Sequence, residues 1–170
     1  MYEVGESVVY PGHGVCKIKD IVERRVSDVN KKFFMLRTLG ADISILVPED
    51  KINYVGLRRV VDVDVANKVF EILGKCNNGN KANCNHGKTN WNRRFREYTE
   101  RIKTGNVVYI AEVLRSLYNV KKMKELSFGE KRIVNTSKSL LIQELSISKK
   151  CPPEEIYAEI ESALCNGKLS

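Results

Sequence analysis

Tryptophan occurs once in this chain, at Trp91, and histidine twice, at His13 and His86. His13 falls in a glycine turn, Pro11-Gly-His-Gly14, and His86 in a stretch rich in Asn, Gly and Lys. There is no phosphate-binding glycine loop, no G-x-S-x-G elbow and no H-E-x-x-H pair. The carboxylates are scattered among basic residues, so no constellation of acid, base and nucleophile presents itself. A Cys16–His13 dyad is the one nucleophile–base pair on offer, but Cys16 alternates onto the inward face of a strand and reads as core. The expectation is a protein that is not an enzyme, with no cofactor and no small-molecule substrate. No apolar run approaches the roughly 18 residues that a membrane span needs, and the start, Met-Tyr-Glu-Val-Gly-Glu, lacks a basic, apolar leader. We therefore expect no membrane partner and a cytoplasmic location. The five cysteines (Cys16, Cys76, Cys84, Cys151, Cys165) are odd in number and lack a tight spacing framework, which suits reduced thiols. Cys76, Cys84 and His86 suggest zinc. Structural zinc wants four ligands in close pairs, however, and here the cysteines are eight positions apart with a fourth ligand to be borrowed, so no metal is expected.

What is present is a chain of 170 residues, 42% hydrophobic and 29% charged, with a net charge of +8. Residues 1–70 carry only +1 of that charge and residues 71–170 carry +7. The basic excess predicts a polyanionic partner for the second half and a more neutral partner surface for the first.

Residues 1–60 read as β structure. Ser7–Tyr10 is a short strand and Pro11–Gly14 a turn. Val15–Val26 is a long strand with Cys16, Ile18 and Val22 on one face and Lys17, Lys19 and Glu23 largely on the other. Asp28–Lys31 turns the chain, Phe33–Leu39 returns it, Gly40–Asp42 turns it again, and Ile43–Val47 follows until Pro48, which has no N–H for a ladder. Tyr54–Leu57 is a candidate to close the sheet into a small, strongly bent barrel. After Arg59 the period changes. Val65, Val69, Ile72 and Leu73 mark a helix capped by Asp62 or Asp64 and ending at Gly74. Residues 75–88 cannot form a core and read as a mobile loop. A helix over Trp91–Lys103 follows, then one carrying Val107, Ile110, Ala111, Leu114 and Leu117. Ser127-Phe-Gly-Glu130 has the form of a capping box and opens a long helix. Pro152 and Pro153 open the last. The expected architecture is α+β: a β-barrel module over residues 1–60, then a bundle of about five helices over residues 61–170.

The stretch Thr89-Asn-Trp-Asn-Arg-Arg-Phe-Arg-Glu-Tyr98 concentrates the chemistry. Thr89 or Asn90 can cap the helix. Arg93, Arg94 and Arg96 then fan out beside the Trp91 ring, a combination suited to a nucleic-acid backbone next to an opened base step. A second reading stays open: Trp91, Phe95, Tyr98 and Ile102 recur at helical spacing, so Trp91 is equally the outermost member of a core stripe with solvated arginines around it. Lys131 and Arg132 fall in the first turn of the long helix, where cations oppose the helix dipole and a bound phosphate would relieve them.

Five blocks in order carry a resemblance: Val4-Gly-Glu-Ser-Val-Val-Tyr-Pro-Gly-His-Gly14, Val47-Pro48 with Tyr54-Val-Gly56, Thr89-Asn-Trp-Asn-Arg-Arg94, Ile110-Ala-Glu-Val-Leu114 and Gly129-Glu-Lys-Arg132. Over almost its full length the sequence resembles the CarD/CdnL family of bacterial transcription regulators. The resemblance implies a Tudor-like N-terminal module that binds the β subunit of RNA polymerase, and a helical domain that meets promoter DNA at the upstream edge of the transcription bubble. It implies that Trp91 is a wedge at the opened fork and that Arg93, Arg96 and Lys131, with Arg94 beside them, contact the nearby backbone. It also implies that Arg24 faces the polymerase. A second polymerase-binding arginine of the family falls at Leu46, so either Arg25 or Lys51 takes over that contact or the affinity differs. The function so implied is stabilisation of the open promoter complex without sequence-specific readout. The alternative is a general RNA- or ribosome-binding protein.

Overall fold

The computed structural model describes residues 1–75 and 88–166. Its N-terminal part is one antiparallel sheet of β1 (Ser7–Tyr10), β2 (Gly14–Val26), β3 (Val29–Thr38), β4 (Ser44–Pro48) and β5 (Arg58–Arg59), in the order β4-β3-β2-β1-β5. The sheet is open. β4 and β5 are its two edges, so the expected closed barrel is not what forms. Tyr54–Leu57 does not close it. Ile52–Val55 makes a single helical turn, α1, which Gly56 ends at φ +74, and Tyr54 stands 88% exposed on it. The fifth strand comes two residues later, as Arg58 and Arg59 pair with Val9 and Val8.

The face pattern of β2 also differs from simple alternation. Its pairing with β3 steps from Ile18↔Leu36 to Asp20↔Met35, so Lys19 is an extra residue, a β-bulge. Beyond it the inward face passes from even to odd numbers. Ile21, opposite Phe34, packs on the core, and Val22 turns to the other face. The hairpin tip is tighter than expected: Val26 pairs with Val29, and Ser27 and Asp28 take φ +48 and +65. Positive φ at both central residues gives a two-residue turn whose twist matches the flanking strands. The sheet core is Val8, Cys16, Ile18, Phe34, Leu36 and Val47, closed by Ile52 and Leu57.

Five longer helices follow: α2 (Val63–Gly74), α3 (Lys88–Lys103), α4 (Val107–Met123), α5 (Phe128–Lys149) and α6 (Pro153–Asn166). Asp62 caps α2 by accepting from the Val65 N–H at 2.9 Å, and Asn106 caps α4 through the Val108 N–H. Ser127 and Glu130 form a complete capping box on α5. Helix α3 begins at Lys88, ahead of Thr89 and Asn90, the two residues expected to precede it. The helical core runs through Val69, Leu73, Ile110, Leu114, Leu141, Leu145, Ile156 and Leu164. Arg115 is buried among these apolar side chains. Its guanidinium donates to the carbonyls of Leu73 and Leu164, at 3.1 Å each. These are among the last carbonyls of α2 and α6, where the helix dipoles present negative charge. Among the described residues no helix is long and apolar enough to cross a membrane.

Candidate functional site

Helix α3 is amphipathic. Ile102 is buried, Tyr98 and Trp91 partly buried, and Phe95 39% exposed. The stripe expected from spacing therefore joins the helical core at its C-terminal end, while at its N-terminal end Trp91, less exposed than Phe95, packs on α5 instead. Tyr98 packs against the helical core, while Trp91 lies beside Phe95, ring centroids 5.6 Å apart. What supports the indole is the first turn of α5. A Cβ added to Gly129 would lie 3.2 Å from Trp91 Cζ2, so only a glycine lets the ring rest there undisturbed. Burial raises the Tyr98 phenol above its ordinary pKa, and the charge of nearby Arg94 partly opposes that rise.

The cations around the indole fall into two groups. Arg93 pairs with Glu97 one turn on, at 3.2 Å, and Lys131 pairs with Glu125 at 3.4 Å. All four side chains are more than half exposed. Such pairs are worth roughly 0–1 kcal/mol and yield readily to a phosphate. Arg96 and Arg132 are exposed and have no ion-pair partner among the described residues. Both are ready phosphate ligands. Arg132 was expected, with Lys131, to meet a phosphate at the start of α5, and the structure leaves it exposed there. The sequence reading passed over Phe128, which is 84% exposed immediately before Gly129.

Glu130 modifies the phosphate argument for that turn. It already supplies a negative charge to the start of α5, accepting from the Ser127 N–H at 2.8 Å while Lys124 lies 3.6 Å away. A phosphate would therefore meet the outward cations rather than bare helix N–H groups.

The residues expected to face the polymerase do not form one cluster. Arg24 and Arg25 lie on the β2–β3 ribbon beyond the reach of β4, opposite Lys31 and Asn30. Arg24 is exposed without an ion pair among the described residues, and Arg25 pairs with Asp28 at 3.1 Å. Lys51 sits in the 3-10 turn Glu49–Lys51, over the Tyr54 ring, and that turn is tied to the ribbon by Lys31–Asp50 at 3.3 Å. Leu46 is mid-strand in β4, in register with Met35 and Asp20, and 39% exposed. It therefore shares the outward face of the sheet with Arg24 but sits four β2 positions away, roughly 13 Å along the strand. The outer edge of β4, beside Leu46, is unpaired.

No catalytic geometry emerges from the described residues. Burial pushes the Cys16 thiol up to about 11, the wrong direction for a nucleophile. His13 stacks on Tyr10, ring centroids 5.1 Å apart. The described residues contain no group of His, Cys, Asp and Glu able to hold a metal. Cys76, Cys84 and His86, and all but the two ends of the expected loop 75–88, lie outside the described residues, while Lys88 belongs to α3.

Two family models match the chain in turn. Residues 2–61 match the family model described as the CarD-like/TRCF RID domain, and residues 68–161 match the CarD C-terminal domain. A Bacillus subtilis (strain 168) protein named "Putative transcription factor YdeB" is 28% identical over 160 residues, spanning 92% of this chain and 97% of that protein. The solution structure of the 72-residue N-terminal domain of Myxococcus xanthus CarD is 32% identical, covering 35% of this chain and 79% of that one, at a TM-score of 0.31. With one CarD domain model spanning more than half of its residues and a second matching most of the remainder, the chain belongs to the CarD-like family of transcription factors.

Proposed function

We propose that this protein docks on the β subunit of RNA polymerase through its sheet half, a Tudor-like module, and stabilises the open promoter complex by placing Trp91 at the upstream edge of the bubble. It acts in the cytoplasm, on the polymerase, without catalysis. The observation that carries this reading is the placement of Trp91. The indole is not part of the helical core and rests on Gly129 in the first turn of α5, the helix that also carries Lys131 and Arg132.

The energetics follow from that placement. Opening a promoter is a near-balanced equilibrium, and a ligand shifts it only by its differential affinity for the open state. Unstacking a base step costs a few kcal/mol. At a fork that polymerase has already opened, that cost is largely met. An apolar ring there gains a partner that closed duplex lacks, so bubble collapse slows. Arg93, Arg94, Arg96, Lys131 and Arg132 hold the backbone without reading bases. The sheet half supplies the tether. The free β4 edge can accept a partner strand through its open N–H and C=O groups. Leu46 on that edge gives the contact an apolar part where the family resemblance puts an arginine, and Arg24, Arg25 and Lys51 supply charge at the end of the ribbon.

The test is the lifetime of open complexes after competitor challenge, measured with wild-type protein, with Trp91→Ala and with no factor. The wild type is expected to lengthen the lifetime and Trp91→Ala to lose most of that gain while still binding polymerase. Equal lifetimes in all three, with polymerase binding confirmed, would show that Trp91 does not act at the fork.

A further inference from the structure

The sheet half and the helical half meet at an ion pair that neither half explains alone. Arg58 lies on the edge strand β5, and Glu144 lies in the C-terminal third of α5. The guanidinium donates to both carboxylate oxygens, at 2.6 and 2.9 Å, and also to the carbonyl of Gly105 in the α3–α4 turn. Glu144 accepts a third hydrogen bond, from the Val61 N–H at 3.0 Å. Its side chain is only 4% exposed. A carboxylate is rarely buried this far unless fully paired, and here one carboxylate holds β5, the chain crossing to α2 and, through Arg58, the α3–α4 turn.

A second set of contacts lies one helical step away. Gln143 Oε1 accepts from the Val15 N–H at 3.4 Å. A Cβ on Gly14 would come within 2.9 Å of both Gln143 and Leu140, and a Cβ on Gly105 within 3.2 Å of Pro11. α5 thus carries both the support of the indole, at Gly129, and the seat of the sheet, at Leu140–Glu144. Only Val60, Val61 and Asp62 separate β5 from α2. Those residues fix how far apart the halves can move but not their mutual angle.

We propose that Arg58 and Glu144 are positioning residues whose pair locks the two halves at one angle, so that a polymerase-docked sheet presents Trp91 at a fixed place. This rests on the reading of function given above. A planar guanidinium held by both oxygens of one carboxylate has a defined direction that an apolar contact lacks. Tethering raises the effective concentration of the wedge at the fork only when the geometry lets both sites engage together.

The experiment compares wild type with Arg58→Met/Glu144→Gln. That variant removes both charges together, so no lone buried charge remains, and it keeps an amide oxygen for Val61. Arg58→Lys, which keeps the charge but not the two-pronged geometry, is the milder second variant. Backbone 15N relaxation reports whether the two halves tumble as one body. Polymerase pull-down, affinity for free DNA and open-complex lifetime are read on the same proteins. In wild type both halves are expected to share one correlation time. In the double variant the times separate, polymerase and free-DNA binding stay within about twofold, and the lifetime gain falls at least fivefold, with Arg58→Lys in between. Halves that still tumble as one body in both variants would overturn the lock. Independent tumbling with an undiminished lifetime gain would overturn its functional role. A wild type that does not lengthen the lifetime would instead sink the underlying reading, while the tumbling result would still decide whether the pair is a lock.

Discussion

The two halves of this molecule differ in net charge. Residues 1–70 are nearly balanced, at +1, and four of their basic side chains pair with an acid of the same half: Arg37 with Asp42, Arg25 with Asp28, Lys31 with Asp50, Arg59 with Glu6. Residues 71–170 carry +7, and of the candidate DNA-facing cations Arg93 and Lys131 are held by weak exposed pairs while Arg96 and Arg132 have no ion-pair partner among the described residues. A surface whose charges are matched within itself suits a partner met by shape, edge and apolar contact. A surface with surplus positive charge suits a polyanion. On the proposed reading the division of net charge along the chain is also a division of partners, and α5 touches both halves.

The joint is the most sensitive place to break this comparison. Gly14 has φ +82 and no room for a Cβ beside Leu140 and Gln143. Gly14→Ala combines backbone strain with overpacking and is expected to lower stability by about 2 kcal/mol in chemical denaturation. Next, Arg24→Glu is expected to weaken polymerase binding at least tenfold in a titration, with affinity for free DNA unchanged. The converse change is Arg96→Ala with Arg132→Ala. Each arginine that touches a phosphate contributes about 0.9 to the slope of log K against log salt. The double variant should flatten that slope by about 1.8 for free DNA and leave polymerase pull-down intact. The smallest effect concerns an internally matched pair of the sheet half. The Glu3 N–H and the Arg59 guanidinium hold the Glu6 carboxyl below its ordinary value of 4.5, against burial, which raises it. A lowered folded pKa gives stability that is complete above the unfolded value and is lost as pH falls through the folded one. Glu6→Gln is therefore expected to cost about 0.5 kcal/mol at neutral pH, and this difference from wild type should shrink in acid melts as pH falls below the ordinary carboxyl range and vanish once Glu6 is protonated in the folded protein.

Much of the architecture was legible because it rests on local rules. The stripe Val107, Ile110, Ala111, Leu114, Leu117 is buried along α4, and the Ser127–Glu130 box starts α5 as its spacing requires. What was not legible depends on contacts distant in sequence. Arg58 and Glu144 are 86 positions apart, and nothing in either neighbourhood announces the other. Arg115 sits between Leu114 and Leu117 in an apolar stripe, and its burial makes sense only once the ends of α2 and α6 converge on it. Tyr54 and Val55 looked like strand because short apolar runs suit either state. Gly56 and the turn Glu49–Lys51 settle them as helix. For Trp91, periodicity gave the face of α3 shared with Ile102, but that the indole packs on Gly129 of α5 rather than on the helical core is a tertiary fact.

The extra residue in β2 has a consequence for any attempt to transplant or trim the sheet module. Because Lys19 is the unpaired residue of the bulge, a variant lacking it would pass directly from Ile18 opposite Leu36 to Asp20 opposite Met35, with Ile21 still inward opposite Phe34 and Arg24 still opposite Lys31. What it would lose is the bend and the extra twist that a bulge puts into its strand. The bulge therefore aims the far end of the β2–β3 ribbon, and with it Arg24 and Arg25, without deciding which face of the sheet they occupy.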